Sequence, residues 1–413
     1  MKTLEYSQYY TEEKRDLVTD GKFDFLSLPE AVASLKSEVP IYVIYPEVIK
    51  TRAEYFIGNF PGRVMFAVKA NPNVTVLKCL WDAGIRHFDV ASINEVNLVA
   101  GLLPEAKMYF MHPVKSRKAI RDSYAMGIRH YAVDSMDELN KIIEETNEAA
   151  DLVIHIRIRL ENQSAAYDLS GKFGASEASA VNLLKQAAHY SSRLGITFHV
   201  GSQTMDSSAY RKALGVTKAI IDSAGVPVEF IDVGGGFPVA YPGMPSAPLS
   251  NYFSQIKEAM AEFGLDHLEL VGEPGRALVA EGGSTLARVE LRRGNDLYLN
   301  EGVYGSFFDA GTPEWRYPTS RIGMNNKHET IAEYRFFGPT CDSIDTMVGP
   351  FHLPANIKEG DWIEVGMMGA YSNSLATDFN GMGATRTIHL ACNAWYNEPA
   401  PANESERRIA AAA

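Results

Sequence analysis

The sequence predicts an α/β fold, namely a (β/α)8 TIM-type barrel followed by a second antiparallel β-sheet domain. Two observations lead to this prediction. From about residue 64 the chain alternates short apolar strands with helix-length amphipathic segments, and it does so eight times in succession. Eight consecutive strand–helix units are typical of a closed parallel barrel. After residue 280 the alternation gives way to short β-rich runs separated by turns.

Short apolar segments bounded by turns are the predicted barrel strands. They cover residues 64–69, 86–91, 107–112, 129–134, 152–158, 196–201, 229–234 and 268–273. Segments such as INEVNLVAGL and SMDELNKIIEET lie between them and carry apolar residues three and four positions apart, which indicates helices. A doubly wound open sheet is the alternative, but no GxGxxG follows the first strand.

The second domain is predicted from its β-rich runs. They read STLARVELRR, DLYLNEG, AEYRFFGP, DWIEVG and TIHLACNAWY. We therefore expect the barrel over residues 41–280 and a β domain formed by 1–40 plus 281–397. The last segment, 398–413, is low in apolar residues and is predicted to be a disordered tail.

Composition and charge narrow the classes of function. The 413 residues carry a net charge of −12 without a block rich in lysine or arginine, so nucleic acid and anionic membranes are not expected as partners. No apolar run is long enough to span a bilayer, and the opening MKTLEYSQYYTEEKRD lacks the apolar core of a signal peptide. We expect a soluble, cytoplasmic protein.

The cysteines do not indicate a disulfide framework or a metal site. Cys79, Cys341 and Cys392 are too few and too scattered for either. No His/Cys cluster has metal-ligand spacing, and no metal is expected. Each cysteine is therefore interpreted as a packing residue or a reactive thiol.

Polar residues lie at or just past the ends of the predicted strands. They are Lys69, Asp89, His112, Asp134, Arg157, His199, Gly234–Gly236 and Glu273. The carboxyl ends of barrel strands converge on one face, where active sites are built. A single polar residue there is explained by capping of the next helix, as we interpret His112 and Asp134. The whole set predicts an active site.

The stretch FAVKANPN, residues 66–73, places Lys69 at the end of an apolar strand. An unpaired buried ammonium is costly, and a lysine with a depressed pKa can attack a carbonyl to form a Schiff base. The alternative is a strand-end lysine whose head reaches water. The surrounding polar residues favour the reactive lysine.

Two glycine-containing segments indicate a phosphate site. IDVGGGFP follows the seventh strand and GEPGR ends the eighth, and the loops after these two strands are the usual phosphate site of barrels. With Lys69 and the carboxylate of Glu273, they suggest pyridoxal 5'-phosphate as the cofactor. His199 is either a residue that stacks on the cofactor ring or a core histidine.

A family resemblance rests on motifs in a fixed order. They are FAVKAN, FDVASINE, GKFGA, FHVGSQ, IDVGGGFP, GEPGR, GVYGSF, FGPTCDSID and GAYSNSLATDFNG. With them, residues from about 40 to 396 resemble the fold-III pyridoxal-phosphate decarboxylases with an alanine racemase-like barrel, and most closely their ornithine/lysine decarboxylase branch. The resemblance implies decarboxylation of a small basic L-amino acid, with L-ornithine to putrescine in polyamine biosynthesis ahead of L-lysine to cadaverine.

The resemblance also implies roles for individual residues. Lys69 would be the Schiff-base lysine, His199 the ring-stacking residue and Glu273 the partner of the pyridine nitrogen. The phosphate contacts would be Ser202, Gly235, Gly236, Arg276 and Tyr371. Asp89 and Arg157, at strand ends, complete the expected cofactor-binding set.

The second domain would complete the site. Cys341 resembles the cysteine that returns a proton to the α-carbon after carbon dioxide leaves, and its alternative is a small packing residue. Asp342 would meet the distal amine of the substrate, and Phe379 would line that pocket. In this family Cys341 and Asp342 reach into the partner's site, so a homodimer with shared active sites is implied.

The sequence departs from the family pattern after YGSF. The segment reads YGSFFDAGTPEWRYP, where Asp309 or Glu314 is a weaker candidate for the second contact to the distal amine. The arginine and serine-glycine pattern for the second carboxylate of meso-diaminopimelate is not found. Two other functions are alternatives. A racemase predicts a tyrosine where Cys341 lies, and a non-catalytic antizyme-inhibitor-like homologue predicts damaged cofactor residues, which here are intact.

Overall fold

A computed structural model describes residues 24–160, 165–167, 171–311, 313–323 and 330–391. The predicted tail 398–413 and Cys392 lie outside these residues. In chain order the strands are β1 (Ile41–Ile44), β2 (Arg63–Ala67), β3 (His87–Val90), β4 (Lys107–Phe110), β5 (His130–Val133), β6 (Val153–Arg157), β7 (Ala165–Tyr167), β8 (Arg193–Thr197), β9 (Ser202–Thr204), β10 (Phe230–Asp232), β11 (Glu269–Gly272), β12 (Gly283–Arg293), β13 (Asp296–Leu299), β14 (Thr319–Arg321), β15 (Ile331–Phe337), β16 (Thr346–Pro354), β17 (Trp362–Val365) and β18 (Arg386–His389).

The helices lie mainly between the strands of the first part of the chain. They are α1 (Leu28–Leu35), α2 (Pro46–Asn59), α3 (Val74–Asp82), α4 (Ile93–Leu102), α5 (Arg117–Ala125), α6 (Met136–Glu145), α7 (Glu177–Ala187), α8 (Ser208–Ala224), α9 (Leu249–Glu262), α10 (Arg276–Val279) and α11 (Phe308–Gly311). Within the described ranges, none of them is both long and apolar enough to cross a membrane.

The chain divides into two compact units. The described residues of Thr51–Ala240 and Ser246–Leu278 form the barrel unit. Those of Met1–Lys50, Tyr241–Pro245 and Val279–Asn397 form the sheet unit.

A closed parallel barrel forms the core of the first unit, and it confirms the predicted fold class. Its strand order is β10, β11, β2, β3, β4, β5, β6 and β8, and each predicted barrel segment contains or overlaps one of these strands. The barrel closes where β11 pairs with β2, with Val271 opposite Arg63 and Gly272 opposite Val64. Most strand residues are buried because parallel strands are covered on both faces.

The ends of two strands differ from the prediction. β2 ends at Ala67, and Lys69 lies in a 3₁₀ turn, Val68–Ala70, rather than in the strand. β8 covers Arg193–Thr197 and ends four residues before the predicted segment 196–201 does, so His199 lies beyond its end. Both residues therefore sit on short loops at the carboxyl face of the barrel.

Serine caps begin the helices that follow several barrel strands. The hydroxyls of Ser92, Ser135 and Ser176 accept hydrogen bonds from backbone N–H groups in the first turns of α4, α6 and α7. At α4 the carboxylate of Glu95 also accepts from Ala91 N–H, one residue before the cap, at 2.6 Å. These caps fix the chain immediately after each strand, where the polar side chains lie.

The second unit contains a mostly antiparallel eight-stranded sheet, which confirms the predicted second sheet domain. Two of its pairings are parallel, β1 with β18 and β13 with β15. The strand β1 is buried at all four residues and pairs with β12 as well as β18. Its continuous apolar character arises from this central position in the sheet.

A cluster of histidines lies at the amino-terminal layer of the barrel. His130 Nδ1 lies 3.0 Å from His155 Nε2, and the ring centroids of His130 and Tyr109 are 4.3 Å apart. Burial, with Arg193 and Arg63 nearby, lowers the pKa of His130 to about 3. Burial also lowers the pKa of His155 well below its ordinary value. Both imidazoles are therefore neutral in the folded protein at neutral pH.

The histidine cluster should make the fold sensitive to acid. Below pH 6.5, His130 and His155 become protonated in the unfolded chain, whereas their lowered pKa values keep both neutral in the folded chain. The free energy of unfolding is therefore expected to fall by about 1.4 kcal/mol per pH unit for each histidine. Urea unfolding from pH 7.5 down to 4.5 would measure this slope, and a His130→Gln variant should show a shallower one. Equal slopes would contradict the prediction.

Candidate active site

Lys69 lies next to a buried carboxylate at the carboxyl face of the barrel. Its Nζ is 3.1 Å from Oδ2 of Asp89 on β3, whose side chain is 2% exposed, whereas the Lys69 side chain is 45% exposed. Ala67 N–H donates to the carbonyl of Pro274 at 3.2 Å, which ties the end of β2 to the loop after β11. The lysine is therefore held by an ion pair and remains accessible.

Glu273 immediately follows β11 and is 3% exposed. Its N–H donates to the carbonyl of Gly234 at 2.7 Å, so the loops after β10 and β11 are joined at this point. Burial raises the pKa of Glu273 well above its ordinary value, and the negative charges of Asp232 and Asp89 add to the effect. A buried carboxyl group at this position can serve as a hydrogen-bond partner for a ring nitrogen.

The three consecutive glycines form a tightly enclosed loop. Gly234 and Gly236 have φ angles of +66° and +98°, and a Cβ at either position would overlap a backbone carbonyl oxygen. A Cβ on Gly235 would lie 2.7 Å from the carbonyl oxygen of Glu273 and 3.1 Å from His199 Nε2. Only glycine fits this loop.

The carbonyl groups of the glycine loop are fixed by the protein. Tyr210 OH donates to the Gly235 carbonyl at 2.9 Å, and Thr204 N–H donates to the Gly236 carbonyl at 2.9 Å. Across the described ranges, no hydrogen bond of the Gly235 or Gly236 N–H group is seen. Free N–H groups on a glycine loop are what an anion such as phosphate requires.

His199 lies beside this loop as a neutral imidazole. Its Nδ1 accepts a hydrogen bond from Gly201 N–H at 3.0 Å. Burial lowers the pKa of His199 well below its ordinary value, and the charges of Arg157 and Lys69 lower it further. A flat, uncharged ring next to Gly235 is suited to stacking on an aromatic ligand.

Other residues of the expected cofactor set lie at strand and helix ends. Arg157 ends β6, Ser202 begins β9, and Arg276 begins α10 and is buried. Tyr371 belongs to the sheet unit, where it adopts a φ of +55°. The barrel unit thus contains every residue expected to hold the cofactor except Tyr371.

The barrel residues fit pyridoxal phosphate. The glycine loop leaves no room for a side chain but offers N–H groups, and Lys69 offers an amine. Oδ1 of Asp89 is buried and has no hydrogen-bond partner in the part of the chain that the structure describes. A buried polar atom of this kind is expected where a polar ligand completes the site.

The sheet unit brings together the residues expected at the substrate. Tyr304 OH donates to Oδ2 of Asp342 at 2.6 Å, and the Tyr304 and Phe379 ring centroids are 4.6 Å apart. Cys341 is exposed, and its N–H donates to Oδ1 of Asn380 at 3.1 Å. The hydrogen bond from Tyr304 lowers the pKa of Asp342, which keeps this carboxylate charged.

The two weaker substrate candidates have different environments. Asp309 is buried on α11, and Glu314 is exposed with a φ of +56°.

Two residues that contact the candidate site residues, Asp232 and Tyr304, were not predicted from the sequence. Asp232 lies two residues before the first glycine of IDVGGGFP, at the end of a predicted strand, yet it is fully buried beside Glu273. Tyr304 lies between glycines in GVYGSF. A bulky polar residue within a glycine-rich motif was the available signal for Tyr304. Asp232 gave no comparable signal.

Two further buried carboxylates hold the loops that carry Tyr304, Cys341 and Asp342. Glu301 accepts from Gly302 N–H at 2.9 Å, and burial raises its pKa to about 7. Asp345 accepts from Val303 N–H at 2.8 Å and from the hydroxyl of Thr340 at 2.7 Å. The loop carrying Tyr304 is therefore fastened to the loop carrying Cys341 and Asp342.

Gly305 should be intolerant of any side chain. A Cβ at this position would overlap Oε1 of Glu301. Gly305→Ala is expected to destabilise the protein by about 1–3 kcal/mol in urea unfolding, because Glu301 must move out of its hydrogen bonds. Gly58→Ala is the matched control, since no atom lies within 4 Å of its Cβ in helix α2. Equal stability of the two variants would contradict the packing described for Glu301.

Comparisons with known proteins agree with both units. Residues 47–280 match the family model described as "Pyridoxal-dependent decarboxylase, pyridoxal binding domain", and 281–369 match its "C-terminal sheet domain". The lysine/ornithine decarboxylase of Selenomonas ruminantium is 33% identical over 369 residues, which is 86% of this chain and 91% of that protein.

Solved structures are similar over most of the chain. Lysine/ornithine decarboxylase from Vibrio vulnificus, complexed with putrescine, superposes with a TM-score of 0.76 at 30% identity, over 89% of this chain and 99% of that one. The arginine decarboxylase of Paramecium bursaria Chlorella virus, bound to agmatine, superposes with a TM-score of 0.78 at 26% identity, over 87% and 98%.

Proposed function

The chain belongs to the pyridoxal-dependent decarboxylases, and we propose that it converts L-ornithine into putrescine, a step of polyamine biosynthesis. It is a pyridoxal phosphate-dependent decarboxylase of basic amino acids. The observation that carries the ornithine proposal is the sheet cluster of Tyr304, Asp342 and Phe379. A charged carboxylate beside an aromatic ring is suited to an ammonium group at the end of a short side chain.

We assign the cofactor to the barrel residues, with Tyr371 of the sheet unit as the one addition. Lys69 would hold pyridoxal phosphate through its amine, Glu273 would face the pyridine nitrogen, and His199 would lie against the ring. The phosphate would be bound by Ser202, Gly235, Gly236, Arg276 and Tyr371. Asp89 and Arg157 would complete the set. When bound, the cofactor supplies the electron sink that decarboxylation requires.

Asp89 holds the amine of Lys69 in place through their ion pair, in which the Asp89 carboxylate is buried. Neutral His199 adds no positive charge at the ring. Glu273 is buried, so its own carboxyl group is shielded from water. The protein thus positions and shields the reacting group, and these functions account for much of its contribution to catalysis.

The sheet residues would act on the substrate. Asp342 would bind the distal ammonium with Phe379 lining its pocket, while Asp309 and Glu314 remain weaker candidates for a second contact. Cys341 would deliver the proton of its Sγ to the α-carbon of the substrate after carbon dioxide leaves. An exposed thiol in a loop fixed by Asp345 is suited to this role.

A homodimer with shared active sites is part of the proposal. Cys341 is exposed in the single chain, and the apolar side chains of Ile344 and Val348, three and seven positions further along the chain, are 66% and 48% exposed. Exposed apolar groups beside a functional residue are typical of an interaction surface. Sedimentation that shows only a monomer would contradict this part of the proposal.

A competition assay tests the substrate. The protein is incubated with pyridoxal phosphate and equal amounts of L-ornithine, L-lysine, L-arginine and diaminopimelate, and the amines are identified by mass spectrometry. Putrescine is expected to dominate. Dominant cadaverine would support the second candidate, L-lysine, which the name of the Selenomonas relative includes beside ornithine. Agmatine or no amine would overturn the ornithine proposal.

A further inference from the structure

Asp232 and Glu273 form a pair of buried carboxyl groups beneath the glycine loop. Asp232 is 0% exposed and Glu273 is 3% exposed. Asp232 ends β10, which pairs with β11 so that Asp232 lies opposite Val271, two residues before Glu273. Their side chains lie within hydrogen-bond reach of each other. The barrel therefore holds two acids together away from water.

Two hydrogen-bond donors of the protein contact the carboxylate of Asp232. Thr197 Oγ1 donates to its Oδ2 at 3.1 Å, and Gly234 N–H donates to its Oδ1 at 2.9 Å. Oε1 of Glu273, by contrast, receives no N–H or O–H donor from the described part of the chain. Two ionised carboxylates are both acceptors, so a hydrogen bond between them requires a proton on one of them.

The charges nearby do not neutralise both acids. Lys69 is the nearby cation, and its ion pair is with Asp89 at 3.1 Å. No salt bridge of Asp232 or Glu273 is seen over the described ranges. Burial raises the pKa of Asp232 to about 6 and that of Glu273 well above its ordinary value. Two negative charges are costly here, and one shared proton removes one of them.

We propose that Asp232 and Glu273 share one proton and act as a single monoanion, in which Asp232 is a positioning residue that sets the orientation and charge of Glu273. This inference rests on the proposed function only where it takes Glu273 as the partner of the cofactor's ring nitrogen. Thr197 and Gly234 N–H hold Asp232 from two sides. Glu273 is therefore held by a neighbour that is itself fixed.

The shared proton can be observed in the full chain without cofactor. Infrared spectra taken across a pH series report the C=O stretch of a protonated carboxyl group. The wild type should show such a band at neutral pH that Glu273→Gln lacks. In Asp232→Asn the pH midpoint of the band should fall by at least about one unit, because the neighbouring negative charge is replaced by an amide donor.

Two results would overturn the shared proton. In the first, the wild type and Glu273→Gln show the same protonated-carboxyl absorption at neutral pH. In the second, the pH midpoint of the band in Asp232→Asn equals that of the wild type. If Asp232→Asn does not fold, Thr197→Val is the second variant. It removes the hydroxyl that stabilises the Asp232 anion, so the midpoint should rise, and an unchanged midpoint would again overturn the proposal.

The positioning role has its own test with pyridoxal phosphate bound. Asp232→Asn should keep the visible absorbance of the bound cofactor because its amide can donate to Glu273, whereas Asp232→Leu should lose it. Equal behaviour of the two variants would overturn the positioning role. The infrared measurement needs no substrate, so its result is independent of which amino acid is decarboxylated.

Discussion

Lys69→Ala is expected to abolish the visible absorbance of bound pyridoxal phosphate and to lower kcat by about a thousandfold or more. The reason is that Lys69 is the amine paired with buried Asp89 at the carboxyl face of the barrel. Its removal leaves the Asp89 carboxylate buried without its cation, which should also weaken cofactor binding. Absorbance titrations with pyridoxal phosphate and steady-state amine production measure the two effects.

Lys78→Ala is the matched control for this variant. Lys78 is exposed on helix α3, and its removal should change neither absorbance nor turnover. Retained absorbance in Lys69→Ala would remove Lys69 from the cofactor site. Absorbance lost in both variants would instead point to a general loss of folding, which circular dichroism would detect.

Cys341→Ala is expected to leave the cofactor bound but to slow amine formation by about a hundredfold, the usual contribution of a general acid. Without the thiol, the proton no longer reaches the substrate's α-carbon reliably. If the proton goes to the cofactor instead, the substrate's amino group would stay on it as pyridoxamine phosphate, and water would supply the oxygen of a carbonyl product that accompanies the amine. Mass spectrometry of the products separates this outcome from a simple loss of rate.

Cys79→Ala applies the same substitution to a buried cysteine of helix α3. This variant should lose some stability through the cavity it leaves, with unchanged products. Unchanged rate and product identity in Cys341→Ala would exclude Cys341 from proton delivery.

Much of the fold could be predicted because its patterns are local. The strands of the barrel are short apolar runs between capped helices, as at Ser92 and Ser135, and they read correctly from the sequence. The strand β1 has an equally apolar sequence, yet its partners are β12 and β18 of the sheet unit and not barrel strands. Strand partners are set by contacts distant in sequence, which periodicity does not report.

The candidate site could be predicted in part for the same reason. Lys69 and Glu273 were found because each follows an apolar strand at its carboxyl end. Asp232 was missed because its significance depends on Glu273, 41 residues further along the chain (273 − 232). Tyr304 likewise depends on Asp342, 38 positions away. Such pairs exist only in the folded chain.

The closure of the barrel between β11 and β2 has a consequence for the order of synthesis. Lys69 and Glu273 stand 204 positions apart (273 − 69), and the loops that carry them meet where the last barrel strand pairs with the first. A growing chain released only as far as β10 holds the lysine but lacks the carboxyl group and the edge that closes the barrel. Since this contact is so distant in sequence, its formation is a late and slow event. With the roles proposed for Lys69 and Glu273, cofactor binding would require release of the eighth barrel strand from the ribosome.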